Sequence, residues 1–417
     1  MFDQLFKRRH ARQRHLTSPL LQQRLDYLQH CARQGYSPHT LQGLASDLLL
    51  IQKLLGLGES SGKLDPGEVR AAIQRWADRK PRHFNRKNGC RGRENLTQQA
   101  IHWLRYLDRL QSPPSVICTY GALIEGFIDY MRVQKGLSEQ TIATRRYYLT
   151  DFLKWFFSNH RSLSDLSIRD IDEGIARKGR DDGYARLSVQ VYASCLRNFI
   201  RYAESKGWCS RGLATLIRSP RVYQHEGLPV APSWEDVQRL ISTTKGDCPK
   251  DLRDRAILLL LAVYALRSSE LRAIKLEDLD WERCLISFRR KKGRRSQCYP
   301  LVETVGNAIL HYLKNGRPKS RYREVFLTVE APIQPLRGSS LWTMVAKRLR
   351  PLGLPLKHQG PHVLRHACAT HLLAQGLSLK EIGDHLGHRL PKTTSVYAKV
   401  DLPGLRQVAN LTLGGLA

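Results

Sequence analysis

A chain of 417 residues, 41% hydrophobic and 25% charged, has the composition of an ordinary globular protein, long enough for two or three domains with cores of their own. Its 68 lysines and arginines outnumber 37 acidic residues, and a formal charge of +31 points to a polyanionic partner, nucleic acid ahead of an anionic membrane. The longest apolar run, Ala256 to Leu266, is too short to span a bilayer, and nine cysteines without paired spacing suit reduced cytoplasmic thiols better than a disulfide framework.

The N-terminus, "MFDQLFKRRHARQRH", is basic but leads into no continuous apolar stretch, so no secretory signal is expected. A first segment, residues 1–113, closes where Ser112-Pro113-Pro114 should stop a helix. A second, residues 118–222, runs into a linker punctuated by proline and glycine that ends near Pro232. The two read as distant copies of one helical unit. "GYSPHTLQGLASDL" from Gly35 lies over "GLSEQTIATRRYYL" from Gly136, with Ser37 and Ser138 as N-caps and Pro38 in a first helical turn. Both segments predict bundles of amphipathic helices with Arg and Lys outward. Solvation explains any single charged face; the excess summed over the chain argues for phosphate contact.

The third segment, residues 233–400, opens on Ser233 as an N-cap, followed by Glu235 and Asp236 in the first helical turn. The run from Ala256 predicts a buried core helix. "CLISFRRKKGRRSQCYPL", from Cys284, predicts a β-hairpin with Lys292-Gly293 at its tip. From Gly360 to Val400 come five histidines and a single tyrosine. His362 and His366 have the spacing of two zinc ligands on a helix, but Val363 stands where a zincin has its glutamate, and Arg365 would set a fixed cation beside the metal. No metal is expected. Phosphate chemistry accounts for more of these residues. Paired guanidinium groups match the non-bridging oxygens of a phosphorane, imidazoles donate hydrogen bonds, a lysine or histidine protonates a leaving 5′ oxygen, and a phenol can carry a DNA end as a covalent ester.

Taken together, "LLLAVYALRSSELRAIKLEDLDW", "RRKKGRRSQCYPL", "GPHVLRHACATHLL", "IGDHLGH" and "TTSVYAKV" resemble the catalytic boxes of the tyrosine recombinase (phage integrase) family. "LSEQTIATRRYYLTDFLKWF" is similar to that family's helical core-binding domain, so the resemblance covers roughly residues 118–400. It implies catalytic roles for Arg267, Lys292, His362, Arg365, His388 and Tyr397, with Glu270 supporting Arg267; the hairpin register leaves Lys291 as the alternative to Lys292. His366, His371 and His385 read as structural or solvent-facing. Ala265 departs from the usual glycine, which predicts tighter packing there.

The fold implied is mainly α with a small β-sheet: helical DNA-binding domains, then a mixed α/β catalytic domain. The activity implied is site-specific recombination through a 3′-phosphotyrosyl intermediate, without metal, cofactor or ATP, in a phage or mobile-element setting. The expected partners are double-stranded DNA and three further copies, a homo-tetramer on two DNA sites, with no membrane and with accessory recombination proteins undetermined. The expected location is cytoplasmic. A type IB topoisomerase or a non-catalytic DNA-binding accessory protein are the rival readings. Residues 401–417 read as a helix that packs on its own domain or docks on a neighbouring protomer.

Overall fold

The computed structural model describes residues 1–58, 62–78, 89–111, 120–159, 162–222, 230–289, 296–388 and 391–398. These are mostly helical, with one small antiparallel sheet. Residues 111–226 form one compact unit, and Met1–Leu110 with Gly227–Ala417 form the other.

The smaller unit is built on helices Gly121–Val133, Glu139–Asn159, Ile168–Arg180 and Arg186–Ser205. Their inward faces supply an aromatic core of Phe127, Phe152, Phe156, Tyr192 and Phe199, all shielded from solvent. Inside it the Lys178 ammonium, 2% exposed, lies 2.7 Å from Asp151 and 2.6 Å from Asp182, which offset its desolvation.

The larger unit contains separate cores. In its N-terminal part, helices Leu21–Arg33, Pro38–Leu54, Pro66–Asp78 and Gly89–Tyr106 enclose Leu28, Leu48, Ile51, Ile73 and Trp103. The repeat read from sequence has a local structural counterpart. Gly35 (φ +88°) and Gly136 (φ +57°) each turn the chain through left-handed backbone. Two residues later a serine hydroxyl accepts a backbone N–H, Ser37 from Thr40 at 3.2 Å and Ser138 from Thr141 at 3.4 Å.

In the C-terminal part the central element is the helix Pro249–Val263, begun by the Cys248 cap and Pro249 and carrying fully buried Leu258, Leu260 and Leu261. It packs against helices Glu303–Asn315 and His362–Ala374. Arg348 ties helix Gly338–Leu349 to it through Asp251 and, at 2.9 Å, through the buried Asp254. The sheet runs in the order β1 (Leu279–Asp280), β2 (Leu285–Arg289), β3 (Ser296–Pro300), with Ile286 opposite Tyr299. The hairpin tip with Lys292, the Ser112-Pro113-Pro114 break and the tail 401–417 lie outside the described residues. Among the described residues no helix is long and apolar enough to cross a membrane, and Cys31, Cys195, Cys209, Cys248, Cys284, Cys298 and Cys368 are free thiols.

The two repeat glycines differ in surroundings. A methyl on Gly136 meets nothing within 4 Å, whereas one on Gly35 meets Ile333 Cγ1 at 2.8 Å, next to the Ile333 N–H that donates to Gln34 O at 3.0 Å. Gly136→Ala should therefore cost about 1 kcal/mol, the penalty of left-handed backbone alone. Gly35→Ala should cost clearly more. Calorimetric unfolding of both variants checks the order, and equal losses would show that Ile333 yields without cost.

Candidate active site

The site is assembled around the C-terminal end of the helix Pro249–Val263, whose last carbonyls have no partner within the helix. Side chains from other elements supply the donors. Arg365, 4% exposed, donates through Nη1 to Ala265 O and through Nη2 to Leu386 O at 2.6 Å. His385 donates through Nε2 to Val263 O at 3.0 Å, which fixes its tautomer. The Tyr264 hydroxyl donates to Pro300 O at 2.7 Å and accepts from Val302 N at 2.9 Å, holding the end of β3 to the same point. Tyr299 of β3 donates to His385 O at 3.0 Å.

Between these anchors the chain passes through Ala265, fully buried at φ +48°. Left-handed backbone brings Cβ against the following carbonyl, at about 1–2 kcal/mol for a residue other than glycine. The alanine therefore carries a backbone cost, beyond the tighter packing that its sequence position predicts. Arg267 follows, preceding the one-turn helix Ser268–Leu271. The buried Glu270 carboxylate accepts the Arg267 backbone N–H and its Nη1, each at 2.9 Å, and leaves the guanidinium side chain 31% exposed.

Helix His362–Ala374 carries Arg365 and two imidazoles that differ in surroundings. Desolvation, then the charges of Arg365 and Arg267, hold His362 below its ordinary 6.5. Desolvation, then His362 and Arg365, bring His366 to about 4. His366 Nδ1 lies 3.1 Å from the hydroxyl of Tyr397, which is 2% exposed on helix Pro391–Ala398. Burial raises the Tyr397 phenol above 10, opposed by the charges of Arg365 and Arg267.

His388 follows Gly387, whose φ of +61° ends the helix Leu379–Leu386 begun by the Ser378–Glu381 capping box. Its Nδ1 is 2.8 Å from Thr394 Oγ1, and Thr394 in turn fills the space a side chain on Gly383 would need.

The structure thus gathers Arg267, Glu270, His362, Arg365 and Tyr397 in one electrostatic neighbourhood, with His388 joined to the tyrosine's helix; Lys292 is outside the described residues. His366 is not a bystander, since it touches the tyrosine hydroxyl, and Thr394 orients His388. His371 stacks on Trp234 at 4.1 Å and His385 is a helix-end donor, so both are structural. Helical spacing puts His366 one turn after His362 and Thr394 one turn before Tyr397, which gives each a shared face but not its partner.

The phage integrase family model matches residues 233–402, and the phage integrase N-terminal SAM-like domain model matches residues 124–207. A putative integrase/recombinase, y4rA of Sinorhizobium fredii, is 36% identical over 291 residues, 69% of this chain and 69% of its own. The tyrosine recombinase XerD of Listeria innocua is 31% identical over 291 residues, 69% of this chain and 96% of its own. The site-specific recombinase XerH bound to its difH DNA substrate shares the fold at a TM-score of 0.55 and 18% identity, covering 69% of this chain and 83% of that one. A lambda integrase (residues 75–356) dimer bound to a core DNA site matches at a TM-score of 0.52 and 14% identity, covering 66% of this chain and 94% of that one.

The histidines depressed by burial make stability depend on pH. An unfolded chain protonates its histidines near 6.5, whereas folded His366 and His15, the latter wholly buried between Phe2 and Phe6, resist to about 4. Between those values the unfolded state binds more protons, so their contribution is complete above pH 6.5 and is lost as pH falls toward 4. His366→Asn should make the decline shallower. Denaturant midpoints measured across this range test it; an unaltered slope would mean that His366 titrates normally when folded.

Proposed function

The chain belongs to the phage integrase family and is a site-specific tyrosine recombinase, and from that premise we propose that Tyr397 is its nucleophile, acting on a DNA phosphate clamped by Arg267 and Arg365. The observation that carries this reading is geometric: Arg365 bonds Ala265 O, two residues before Arg267, and the next residue, His366, lies 3.1 Å from the Tyr397 hydroxyl. A phosphorane forming beside the tyrosine develops negative charge on its non-bridging oxygens, and two preoriented guanidinium groups stabilise it without reorganising. Glu270 fixes the plane of Arg267, and two carbonyls fix that of Arg365. His362 and His388 serve as hydrogen-bond donors to the phosphate, and Lys292 at the hairpin tip protonates the departing 5′ oxygen. Attack leaves a 3′-phosphotyrosyl bond and a free 5′ hydroxyl. That hydroxyl, from one duplex, then displaces Tyr397 from the other, so bond energy is conserved and ATP is not needed.

The substrate in this reading is double-stranded DNA, consistent with a charge of +31 and with relatives whose structures hold DNA. Residues 118–222 and 233–400 grip the duplex as core-binding and catalytic domains, and residues 1–113 add phosphate contacts. Four protomers assemble on two sites of a phage or other mobile element.

Tyr397→Phe should bind site DNA with unchanged affinity and form no covalent complex on a nicked substrate in a denaturing gel; a surviving adduct would move the nucleophile elsewhere. Because the arginines supply the charge neutralisation, wild-type cleavage should persist in EDTA. Exchange of strands between two marked sites separates recombination from simple relaxation. Deleting residues 1–113 should weaken binding and flatten the slope of log affinity against log salt, by roughly 0.9 for each phosphate that this segment neutralises. An unchanged slope would assign that segment to protein contacts instead.

A further inference from the structure

The hydroxyl of Tyr397 has a defined partner in the folded protein, and that partner is not among the residues the family resemblance implicates. His366 Nδ1 stands 3.1 Å from Tyr397 Oη, with ring centroids 5.8 Å apart. The contact is enclosed: Tyr397 belongs to a small buried cluster with Ala265, Cys368, Ala369, Ile382 and Leu386. His366 also sits next to Arg365 on a well-packed helix, so its ring is carried by the element that carries the phosphate clamp.

We propose that His366 is the positioning residue for the nucleophile, accepting the Tyr397 hydroxyl hydrogen through Nδ1 and holding the phenol oxygen beside the two arginines. This rests on Tyr397 being the nucleophile. The direction of the bond follows from the surroundings of both groups. A phenol is protonated at neutral pH, and burial only reinforces this; a buried hydroxyl hydrogen requires an acceptor. The imidazole is neutral, so one ring nitrogen offers a lone pair. Its setting also assigns orientation rather than proton storage. His362 and Arg365 both disfavour an imidazolium at this place, so the ring accepts a hydrogen bond more readily than a proton. A tyrosine has two side-chain torsions, and attack in line with the leaving oxygen needs Oη placed to within a fraction of an ångström. The hydrogen bond removes that freedom before DNA arrives.

The test uses the full-length protein and a nicked site DNA that traps the covalent complex, measured in single turnover beside the DNA dissociation constant. His366→Leu keeps bulk without an acceptor; His366→Asn places an amide oxygen close to where Nδ1 lies. The leucine variant should form the complex on the order of 10²-fold more slowly, the scale of a small misplacement of a reacting atom, with DNA affinity unchanged. The asparagine variant should recover most of that rate. On a substrate whose 5′-bridging oxygen is replaced by sulfur, a leaving group that needs no proton, the leucine defect should persist, because the fault lies with the attacking group. The proposal is overturned if His366→Leu cleaves at the wild-type rate, if His366→Asn is as slow as His366→Leu, or if the sulfur substrate erases the defect. Tyr397→Phe is run alongside: an adduct there would remove the nucleophile reading itself, whereas its absence together with normal His366 variants removes only this inference.

Discussion

The architecture of the site depends on one requirement, that the carbonyls ending the helix Pro249–Val263 find donors in a place closed to water. A buried carbonyl left without a partner costs about 1–3 kcal/mol. His385 meets that need at Val263, and Arg365 meets the carbonyls of Ala265, just past the helix, and of Leu386. The two later helices that carry them are thereby fastened to the segment that leads, two residues on, into Arg267. In the proposed reaction the same Arg365 would supply charge to the phosphate.

This dual use explains a combination that looks costly in isolation. A guanidinium only 4% exposed forfeits hydration, and carbonyl bonds at both Ala265 and Leu386 return part of it while fixing the plane of the group. Arg267 is held differently. Its partner is a buried carboxylate that also takes its backbone N–H, and much of its side chain remains open to solvent. One arginine is fixed by the fold's own carbonyls and the other by an ion pair, so a mutation at Arg365 disturbs the fold more than one at Arg267 does.

What the sequence made legible follows the same division. Local rules carried far: Ser233 caps helix Trp234–Ser242, Pro38 begins the helix after Ser37, and the two ends of the stretch from Cys284 become the paired strands β2 and β3. The Arg267–Glu270 pair was legible because its partners are three residues apart. Contacts between distant segments were not. Nothing in "HVLRHACATHLL" states that a tyrosine 31 residues later will lie against His366, nor does "GDHLGH" state that His385 will seek a carbonyl 122 residues earlier. Ala265 shows a subtler limit. Alanine is the best helix former, and its propensity argues for continuing the helix, yet tertiary packing holds it in left-handed backbone at φ +48°.

The electrostatics of the tyrosine complete the picture. Arg365 and Arg267 both act to lower the Tyr397 phenol toward ionisation, and burial acts to raise it; burial prevails. The two positive charges are therefore already in place, and the enclosed hydroxyl, protonated as any phenol is at neutral pH, lies within hydrogen-bonding distance of a neutral ring. The short helix Pro391–Ala398 holds this arrangement through Thr394, beside Gly383 and His388, and through Tyr397, which meets His366 and packs with Ala265, Cys368 and Ile382.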